Sequence, residues 1–440
     1  MPPFRLLTAC GLAWSLLGLS LQIRAAESTG ITVCLPSDQY SHVTGEPPVA
    51  TPARGDELFQ QARQAAEAGD VSRAFQLAAC ALVEDPDHAE ARRVLGYEQV
   101  DGQWLTPYGK QMHAAGREWH PKFGWIASGD LPRYQQGERR AGRRWLSAEA
   151  DRTLHELIDR GWQIRTDHFL VTTNHSLEAG VELAGELEAV YQLWRQLFAG
   201  CFLSEQEVRD LFASKRQARG QSKPFKVVYY RTRDEYIAAL RARQPRIADT
   251  QGIYFDNLGV SYFFAGDDGE DVAARNATLY HEAVHQMFHE SLGGEKNVGA
   301  LNNFWIVEGI ALYFESLQRE SGSRFTLGSP TAGRVPAAVH RRLVDSYYIP
   351  LAELTALGKQ ELQRRDDLGP LYSQAAGLAT FLMQFDGGRY RDPLARYLQA
   401  VYAGKTTDAS LAELCGTSYD ELDRQYLQFV RELSKSGGSG

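Results

Sequence analysis

One short stretch, His281-Glu282-Ala283-Val284-His285, constrains this chain more than any other part of its sequence. On a helix, His281 and His285 stand four residues apart, so both imidazoles lie on one face, one turn from each other. That separation suits two ligands of a single tetrahedral Zn²⁺ ion. Glu282 then lies beside the ion, where its carboxylate can take a proton from a water molecule and pass it to a leaving group. The stretch therefore predicts a helix that carries part of a zinc site.

The third protein ligand is predicted on a second helix, which we expect to run from Asn303 to Gln318. Glu308 lies on this helix, and a glycine-containing turn before it allows the two helices to run antiparallel. Gly309 has no side chain and would permit a close approach between them. Glu315 follows Glu308 by seven residues, two turns along the same face, where it could orient a histidine ligand from behind.

His289 is the competing third ligand, and helix geometry argues against it. At about 1.5 Å of rise per residue it lies about 12 Å along the axis from His281, beyond the reach of one ion. The rival zinc-protease pattern with a third histidine needs Gly and His where this chain has Phe288 and Ser291. The remaining alternative is a chance motif on a surface helix, and the apolar run Trp305–Tyr313 around Glu308 makes it the weaker reading.

The segments HEAVH and WIVEGIALYFE together resemble those of the gluzincins, the zinc peptidases that include thermolysin and the aminopeptidase N group. They resemble still more closely the peptidase-MA-like domains of secreted bacterial proteins, many of which have no assigned function. The resemblance implies that His281, His285 and Glu308 are zinc ligands and that Glu282 is the catalytic base. It is specific from His281 to Glu315 and looser over the surrounding chain.

The resemblance also indicates how an oxyanion and a substrate would be held. Tyr372 lies 64 positions after Glu308, which is similar to the place where the aminopeptidase N group has a tyrosine that donates to the oxyanion. A tyrosine packed at the start of a helix is the alternative, and His340 is a second candidate for the role. In gluzincins a strand at the edge of the sheet lies above the metal. Val260–Phe264 is the predicted edge, to which a peptide could add as a further strand.

The implied fold class is α+β. A small twisted sheet, the HExxH helix and a C-terminal helical subdomain form a zincin-like catalytic domain over residues 162–434. Apolar periodicity predicts its strands at 163–166, 168–173, 225–230, 253–255 and 260–264. It predicts helices at 176–198, 234–243, 335–345, 351–357, 372–385, 393–402, 411–414 and 419–433. Four acidic residues between positions 267 and 271 are expected to cap the motif helix.

Residues 1–26 are predicted to be a secretory signal peptide, because Arg5 precedes a largely apolar stretch from Leu6 to Ile23. An uncleaved membrane anchor is the alternative. No later segment is apolar enough to span a membrane, so we expect a secreted or periplasmic, cell-envelope protein without a stable span in the mature chain. The formal net charge is −8 and no long basic run occurs, which argues against a nucleic-acid partner.

The region before the catalytic domain divides into two parts. Residues 27–55 contain several prolines and are predicted to be a linker. Residues 56–161 are predicted to form a helical, Trp-containing region, with one tetratricopeptide-like helical hairpin around Gly69-Asp70. In its second part Trp104 and Trp145 each follow a glycine turn, which is consistent with a small hairpin or an aromatic anchor against the next helix. Residues 435–440 are a predicted flexible tail. The four cysteines after residue 26 either form disulfides, with three possible connectivities, or are small buried residues.

The leading prediction is a secreted zinc metallopeptidase, with Zn²⁺ as cofactor and a peptide or protein as substrate. The N-terminal helical region could cover its cleft intramolecularly. Two alternatives stay open. One is a catalytically inactive binding or scaffold protein that keeps the zincin fold and uses its helical N-terminal region. The other is a zinc hydrolase of a non-peptide amide, such as one in the cell wall.

Overall fold

The order of helices and strands follows the apolar periodicity along most of the chain. A computed structural model of the protein describes residues 30–40, 50–214, 223–266, 272–294, 297–405 and 410–436. The predicted signal peptide 1–26, the acidic residues 267–271 and positions 437–440 of the predicted tail lie outside these ranges. Helices predominate in the part that the structure describes, and the strands form small sheets, which confirms the α+β class.

The N-terminal part contains one strand and three helices. They are β1 (Ile31–Cys34), α1 (Pro52–Ala68), α2 (Val71–Glu84) and α3 (Ala89–Val94). Gly69 lies between α1 and α2 with φ = 81°, a left-handed conformation that ends α1. The Asp70 side chain then accepts a hydrogen bond from the Arg73 N–H and caps α2. Ala62 and Ala74 are fully buried and allow close packing, so the helix pair predicted around Gly69-Asp70 is confirmed.

Part of the predicted linker is an ordered strand. β1 pairs antiparallel with β14 (Arg324–Leu327), and Cys34 at its end forms a disulfide with Cys80 of α2. The linker prediction is therefore wrong for residues 31–34. All four prolines of that segment follow the strand, and a four-residue strand has too little periodicity to stand out beside them. Cys201 and Cys415 are free and buried.

Three consecutive strand–strand–helix units follow, each built on a short antiparallel hairpin. They are β2 (Glu98–Val100), β3 (Gln103–Leu105) and α4 (Pro107–Ala114); β4 (Arg117–His120), β5 (Gly124–Ala127) and α5 (Leu131–Gln135); and β6 (Glu138–Ala141), β7 (Arg144–Ser147) and α6 (Ala148–Leu154). Trp104, Trp125 and Trp145 occupy the second strand of each unit. The small hairpins that the glycine turns before Trp104 and Trp145 indicated are confirmed as β2–β3 and β6–β7, whereas the middle unit was not predicted.

The main sheet has five strands. They are β8 (Trp162–Arg165), β9 (Phe169–Thr173), β10 (Phe225–Tyr230), β11 (Gly252–Phe255) and β12 (Val260–Phe264). Their order is β11-β12-β10-β9-β8, with parallel pairing in the centre and antiparallel pairing at both edges. The prediction of Val260–Phe264 as the edge is wrong, because β12 pairs with β10 on its other side and the first strand of the hairpin, β11, is left outermost.

Three helices accompany this sheet, namely α7 (Leu177–Leu197), α8 (Glu205–Phe212) and α9 (Arg233–Leu240). The remaining helices and strands are α10 (Val272–Ser291), α11 (Phe304–Phe314), β13 (Gln318–Ser321), α12 (Val335–Leu343), α13 (Leu351–Ala356), α14 (Lys359–Gln363), α15 (Leu368–Gln384), α16 (Arg391–Tyr402), α17 (Leu411–Leu414) and α18 (Tyr419–Ser436). Short 3-10 turns occur at Ser128–Asp130, Ile158–Arg160, Ala199–Cys201, Ile247–Asp249 and Phe385–Gly388.

Helix α11 ends earlier than predicted and packs against a different neighbour. It stops at Phe314, after which β13 and β14 form a hairpin that joins β1 in a three-stranded sheet. A Cβ on Gly309 would lie 2.8 Å from the carbonyl oxygen of Ala375 in α15. The close approach expected at Gly309 is therefore between α11 and α15, and not between the two motif helices.

The helical N-terminal part packs against helices of the part of the chain that contains the main sheet. The main contacts of α1 and α2 are with each other and with α7, α8, α16 and β1. The predicted cover of the cleft by this region stays a prediction. Helix α18 continues to Ser436, so positions 435 and 436 of the predicted tail are helical. Among the described residues, no helix combines the length and the apolar character that a bilayer crossing requires.

Candidate metal centre

Helix α10 presents His281 and His285 side by side. Their Nε2 atoms are 3.1 Å apart, as expected for imidazoles one turn apart on one face. Gln286 fixes the rotation of this helix against the main sheet. Its fully buried side chain accepts a hydrogen bond from the Ser261 hydroxyl at 2.7 Å and donates to the carbonyl oxygen of Lys226 at 3.1 Å. The sheet thus determines the direction in which both histidines point.

Glu308 on α11 faces the two histidines. Its Oε2 lies 3.8 Å from Nε2 of His281, and its Oε1 lies 3.8 Å from Nε2 of His285. These distances exceed those of hydrogen bonds, so the carboxylate stands off from both rings. The three possible ligand atoms all lie within 4.8 Å of one another. Two imidazoles and one carboxylate are ligand types that zinc takes in catalytic sites, and the residues present fit such an ion.

Glu315 lies behind His281, on the side away from Glu308. Its Oε1 is 3.0 Å from Nδ1 of His281, and its Oε2 is 3.1 Å from Nε of Arg334. A carboxylate on the far nitrogen fixes the tautomer and the orientation of a ligating imidazole, leaving Nε2 free to bind. Arg334 holds that carboxylate in turn.

The electrostatic surroundings of the two histidines differ. Burial acts against a charged His281, but the contact with Glu315 and the neighbouring carboxylates outweigh it and raise its pKa to about 9. Burial and the charge of His281 both hold the pKa of His285 well below its usual range. The pair therefore shares one positive charge near neutral pH in the metal-free protein, and a cation binding between three acidic side chains would replace that charge.

Glu282 is held by the edge strand. Its Oε2 accepts a hydrogen bond of 2.8 Å from the backbone N–H of Tyr254 in β11. Burial raises the pKa of Glu282, although the charge of His281 and this hydrogen bond act in the other direction. The same residue of β11 makes a second contact, because the Tyr254 hydroxyl lies 3.0 Å from Nδ1 of His289. A buried carboxylate with a raised pKa and a fixed orientation has the properties of a general base.

Tyr372 lies close enough to Glu308 for the two to interact electrostatically. Burial, followed by the negative charge of Glu308, raises the pKa of this phenol well above its usual range, so it stays protonated and able to donate. Lys359 at the start of α14 exerts its positive charge on Glu282, Glu308 and His285. His340, the second candidate for an oxyanion donor, has an exposed side chain 3.6 Å from Asp345 and is not part of this group.

Three contributors to this group were not predicted from the sequence. The Tyr254 N–H is a backbone donor, so no residue type signals it, and only the identity of the edge strand could have located it. Arg334 follows a turn after β14 and reaches Glu315 through tertiary folding. Lys359 carries an ordinary surface charge, and its proximity depends on the loop that precedes α11.

Comparisons with known proteins give a match to a family model but no activity. A family model described as "Protein of unknown function (DUF1570)" matches residues 275–400. The matched segment contains the candidate metal ligands, Glu282, Glu315 and Tyr372, whereas Tyr254 precedes it. A search of curated proteins finds no match to the chain.

Proposed function

We propose that this protein is an exported zinc metallopeptidase with a zincin-like fold, in which His281, His285 and Glu308 hold the ion and Glu282 is the general base. The observation that carries the proposal is the convergence of the three possible ligand atoms within 4.8 Å of one another. The carboxylate of Glu282, which is not one of these ligands, lies on the same helix as the two histidines and is held by the Tyr254 N–H. The resemblance of the two motif segments to those of gluzincins supports the same assignment.

The mechanism follows from what each side chain can do. A bound zinc ion would supply Lewis-acid chemistry, polarising the substrate carbonyl and acidifying a water molecule. Because Oε2 of Glu282 accepts the Tyr254 N–H, Oε1 is the atom that would take the proton from the attacking water and return it to the leaving amine. The phenol of Tyr372 would donate a hydrogen bond to the oxygen that becomes negative in the transition state.

The substrate proposed is a peptide in extended conformation. Strand β11 is the edge of the main sheet, and one of its N–H groups contacts Glu282, so a peptide added along this edge would pass the candidate base. Export is supported by the apolar segment near the N-terminus and by the Cys34–Cys80 disulfide, since such bonds persist in oxidising compartments.

The test combines metal content with turnover. Elemental analysis of the purified chain should give about one zinc per chain, and the His281→Ala variant should lose it. The Glu282→Gln variant should keep its zinc, because Glu282 is not a ligand, and its hydrolysis of a quenched peptide library should fall by about 10²–10⁴-fold. Glu290→Gln is the matched control, since Glu290 lies on the same helix but contacts Gln286.

Three other outcomes would contradict the proposal or part of it. Bound zinc without cleavage of any peptide would favour the inactive binding protein. Cleavage of cell-wall amides with peptides untouched would favour the second alternative. If Glu282→Gln were as active as the parent, the assignment of the general base would be wrong.

A further inference from the structure

A second cavity lies where the N-terminal part meets the catalytic module. Its volume is about 380 Å³, within the range of small-molecule sites, and none of its lining residues belongs to the candidate metal centre. Phe75 and Leu211 contribute apolar walls, and Tyr97 contributes a buried ring. Charged side chains also line the cavity, and they differ in whether they have hydrogen-bond partners.

The acidic groups of this cavity already have hydrogen-bond donors. Asp167 accepts from the Tyr40 hydroxyl at 2.6 Å, from the Thr106 hydroxyl at 2.6 Å and from the Tyr108 N–H at 3.0 Å. Glu188 accepts from the backbone N–H of His168 at 2.7 Å, and the ring Nδ1 of the same histidine lies 2.7 Å from its other oxygen.

Arg195 on α7 is the exception among the charged groups of the cavity. Its Nη1 atom is buried and has no hydrogen-bond partner. Its guanidinium carbon, Cζ, lies over the Phe202 ring, 4.5 Å from the ring centroid. Burial lowers the pKa of Arg195, which reflects an unfavourable environment for its charge. The neighbouring Gln196 has a buried Oε1 atom that also lacks a partner.

Arg195 is half-buried, and a buried N–H group of a guanidinium without an acceptor destabilises the folded protein. Such a group is retained where a ligand supplies the missing acceptor, and guanidinium pairs best with a planar carboxylate or a phosphate. The four acidic residues at this cavity, Asp38, Asp167, Glu188 and Glu207, outnumber the two basic ones, Arg195 and His168. A doubly charged phosphate would be repelled by that balance, whereas a ligand with one carboxylate and one ammonium group would not.

We infer that this cavity binds a small zwitterion, an apolar amino acid or dipeptide whose carboxylate pairs with Arg195 and whose ammonium group faces the acidic side. The apolar walls would take its side chain. The inference stands on the cavity and on the unpaired guanidinium, and it holds whether or not the chain hydrolyses peptides.

The test is calorimetric titration of the full-length His281→Ala variant, which removes binding at the metal centre. The probes are leucine, leucyl-leucine, leucyl-leucine amide and N-acetyl-leucyl-leucine. The unmodified dipeptide or leucine should bind, and both blocked forms should bind roughly 10- to 100-fold more weakly, since each lacks one charge-assisted contact. Equal binding of the amide would overturn the assignment of Arg195 to a carboxylate, and no binding of any probe would overturn the zwitterion site.

Arg195→Met is the variant that separates a ligand-binding from a structural role. Methionine keeps most of the apolar stem and removes the unpaired charge. The variant should therefore melt at the same temperature as the parent or higher without ligand, and it should lose the melting-temperature rise that leucyl-leucine produces. The exposed Arg243→Met is the control and should keep that rise. A marked drop in melting temperature without ligand would show that Arg195 is a structural residue and overturn the inference.

Discussion

At the scale of single residues, the three glutamates of the candidate centre lie in two kinds of electrostatic environment. Burial raises the pKa values of Glu282 and Glu308, while His281 and Arg334 overcome burial and lower that of Glu315. Glu315 is therefore the carboxylate whose charged form is favoured, and it lies behind a candidate ligand and not at the metal position. Its contribution is to hold His281 with Nε2 towards Glu308.

Replacing Glu315 should weaken zinc binding without removing a ligand. In Glu315→Gln the charged partner of Nδ1 is lost and the imidazole can rotate or change tautomer, so zinc affinity should fall by about 10- to 100-fold. Competition with a chromophoric chelator measures this change. Glu320→Gln is the matched control, because Glu320 is exposed in the adjacent hairpin, and its affinity should equal that of the parent. Unchanged affinity in Glu315→Gln would mean that Glu315 does not orient the ligand.

Residue spacing was sufficient to predict which side chains converge at the candidate centre. The interval between His281 and His285 and the apolar helix around Glu308 are local patterns, and local patterns determine which face a side chain occupies. The Tyr254 N–H and the Arg334 side chain come from other parts of the chain. Their positions depend on strand order and on a turn after β14, neither of which leaves a periodic signal.

At the scale of secondary-structure elements, the edge of the main sheet is β11 and not the predicted β12, and this has a direct consequence. The Tyr254 N–H donates to Glu282 and not to β12, so a proline at this position removes no bond of the sheet itself. Tyr254→Pro should lower kcat by about 10- to 100-fold through loss of one hydrogen bond to a carboxylate, with only a small change in the free energy of unfolding.

The control for this variant is Tyr254→Ala, which removes the ring and its contact with His289 but keeps the N–H. It should retain more of kcat than the proline variant. Equal losses in both variants would assign the effect to the ring and would contradict a role for the backbone donor. Steady-state kinetics on one quenched peptide, together with urea unfolding of each variant, provides both quantities.

The contact between α11 and α15 makes a prediction about stability. In Gly309→Ala the new methyl group would meet the Ala375 carbonyl oxygen at 2.8 Å, and neither backbone can yield without moving its helix. The free energy of unfolding should fall by about 1–3 kcal/mol. Gly369→Ala in α15 is the control, because nothing lies within 4 Å of its added Cβ, and its stability should change by less than about 1 kcal/mol. Similar losses in both variants would contradict the clash.

Most helices and strands after residue 161 could be predicted to within a few residues, because apolar periodicity marks them in the sequence. Strand β10 and helix α17 have the bounds that periodicity predicted. Most of the elements that were missed are short: β1, the hairpin β13–β14 and α14 contain four or five residues each, and the longer α8, with eight residues, was missed as well. At that length, pairing with distant strands determines the structure, and sequence patterns carry little information about it.

At the scale of the whole molecule, β1 and the Cys34–Cys80 disulfide connect the N-terminal helices with the module that contains the candidate metal centre. β1 completes a sheet with β14 and β13 of the module, while its terminal cysteine is bonded to α2. The buried pair of His168 and Glu188 lies in the same junction, at the wall of the second cavity. Composition predicted a linker at residues 27–55. Residues 31–34 of this segment instead form a strand and a disulfide that hold the N-terminal helices against the rest of the chain.

This buried pair makes the stability of the whole chain depend on pH. Burial opposes the charge of His168, but Glu188 prevails and raises its pKa, and Asp167 acts in the same direction. For Glu188, burial acts against the charged form, and the contact with His168 prevails and lowers its pKa. Since an unfolded histidine titrates near about 6.5, the stabilisation from His168 is complete below that pH and is lost as pH rises through the folded pKa. The stabilisation from Glu188 is present above about pH 4.3 and is lost as pH falls further.

The difference in unfolding free energy between the parent and His168→Gln should therefore be largest near pH 5.5 and should shrink towards pH 8.5. One proton limits the slope to about 1.4 kcal/mol per pH unit. Urea unfolding at a series of pH values measures it, and subtraction of the two curves removes the contribution of the groups that do not interact with His168. His340→Gln, at a side chain that is 59% exposed, should give a difference that does not vary over this range. A difference for His168→Gln that is constant with pH would mean that the pair is not ionised in the folded protein.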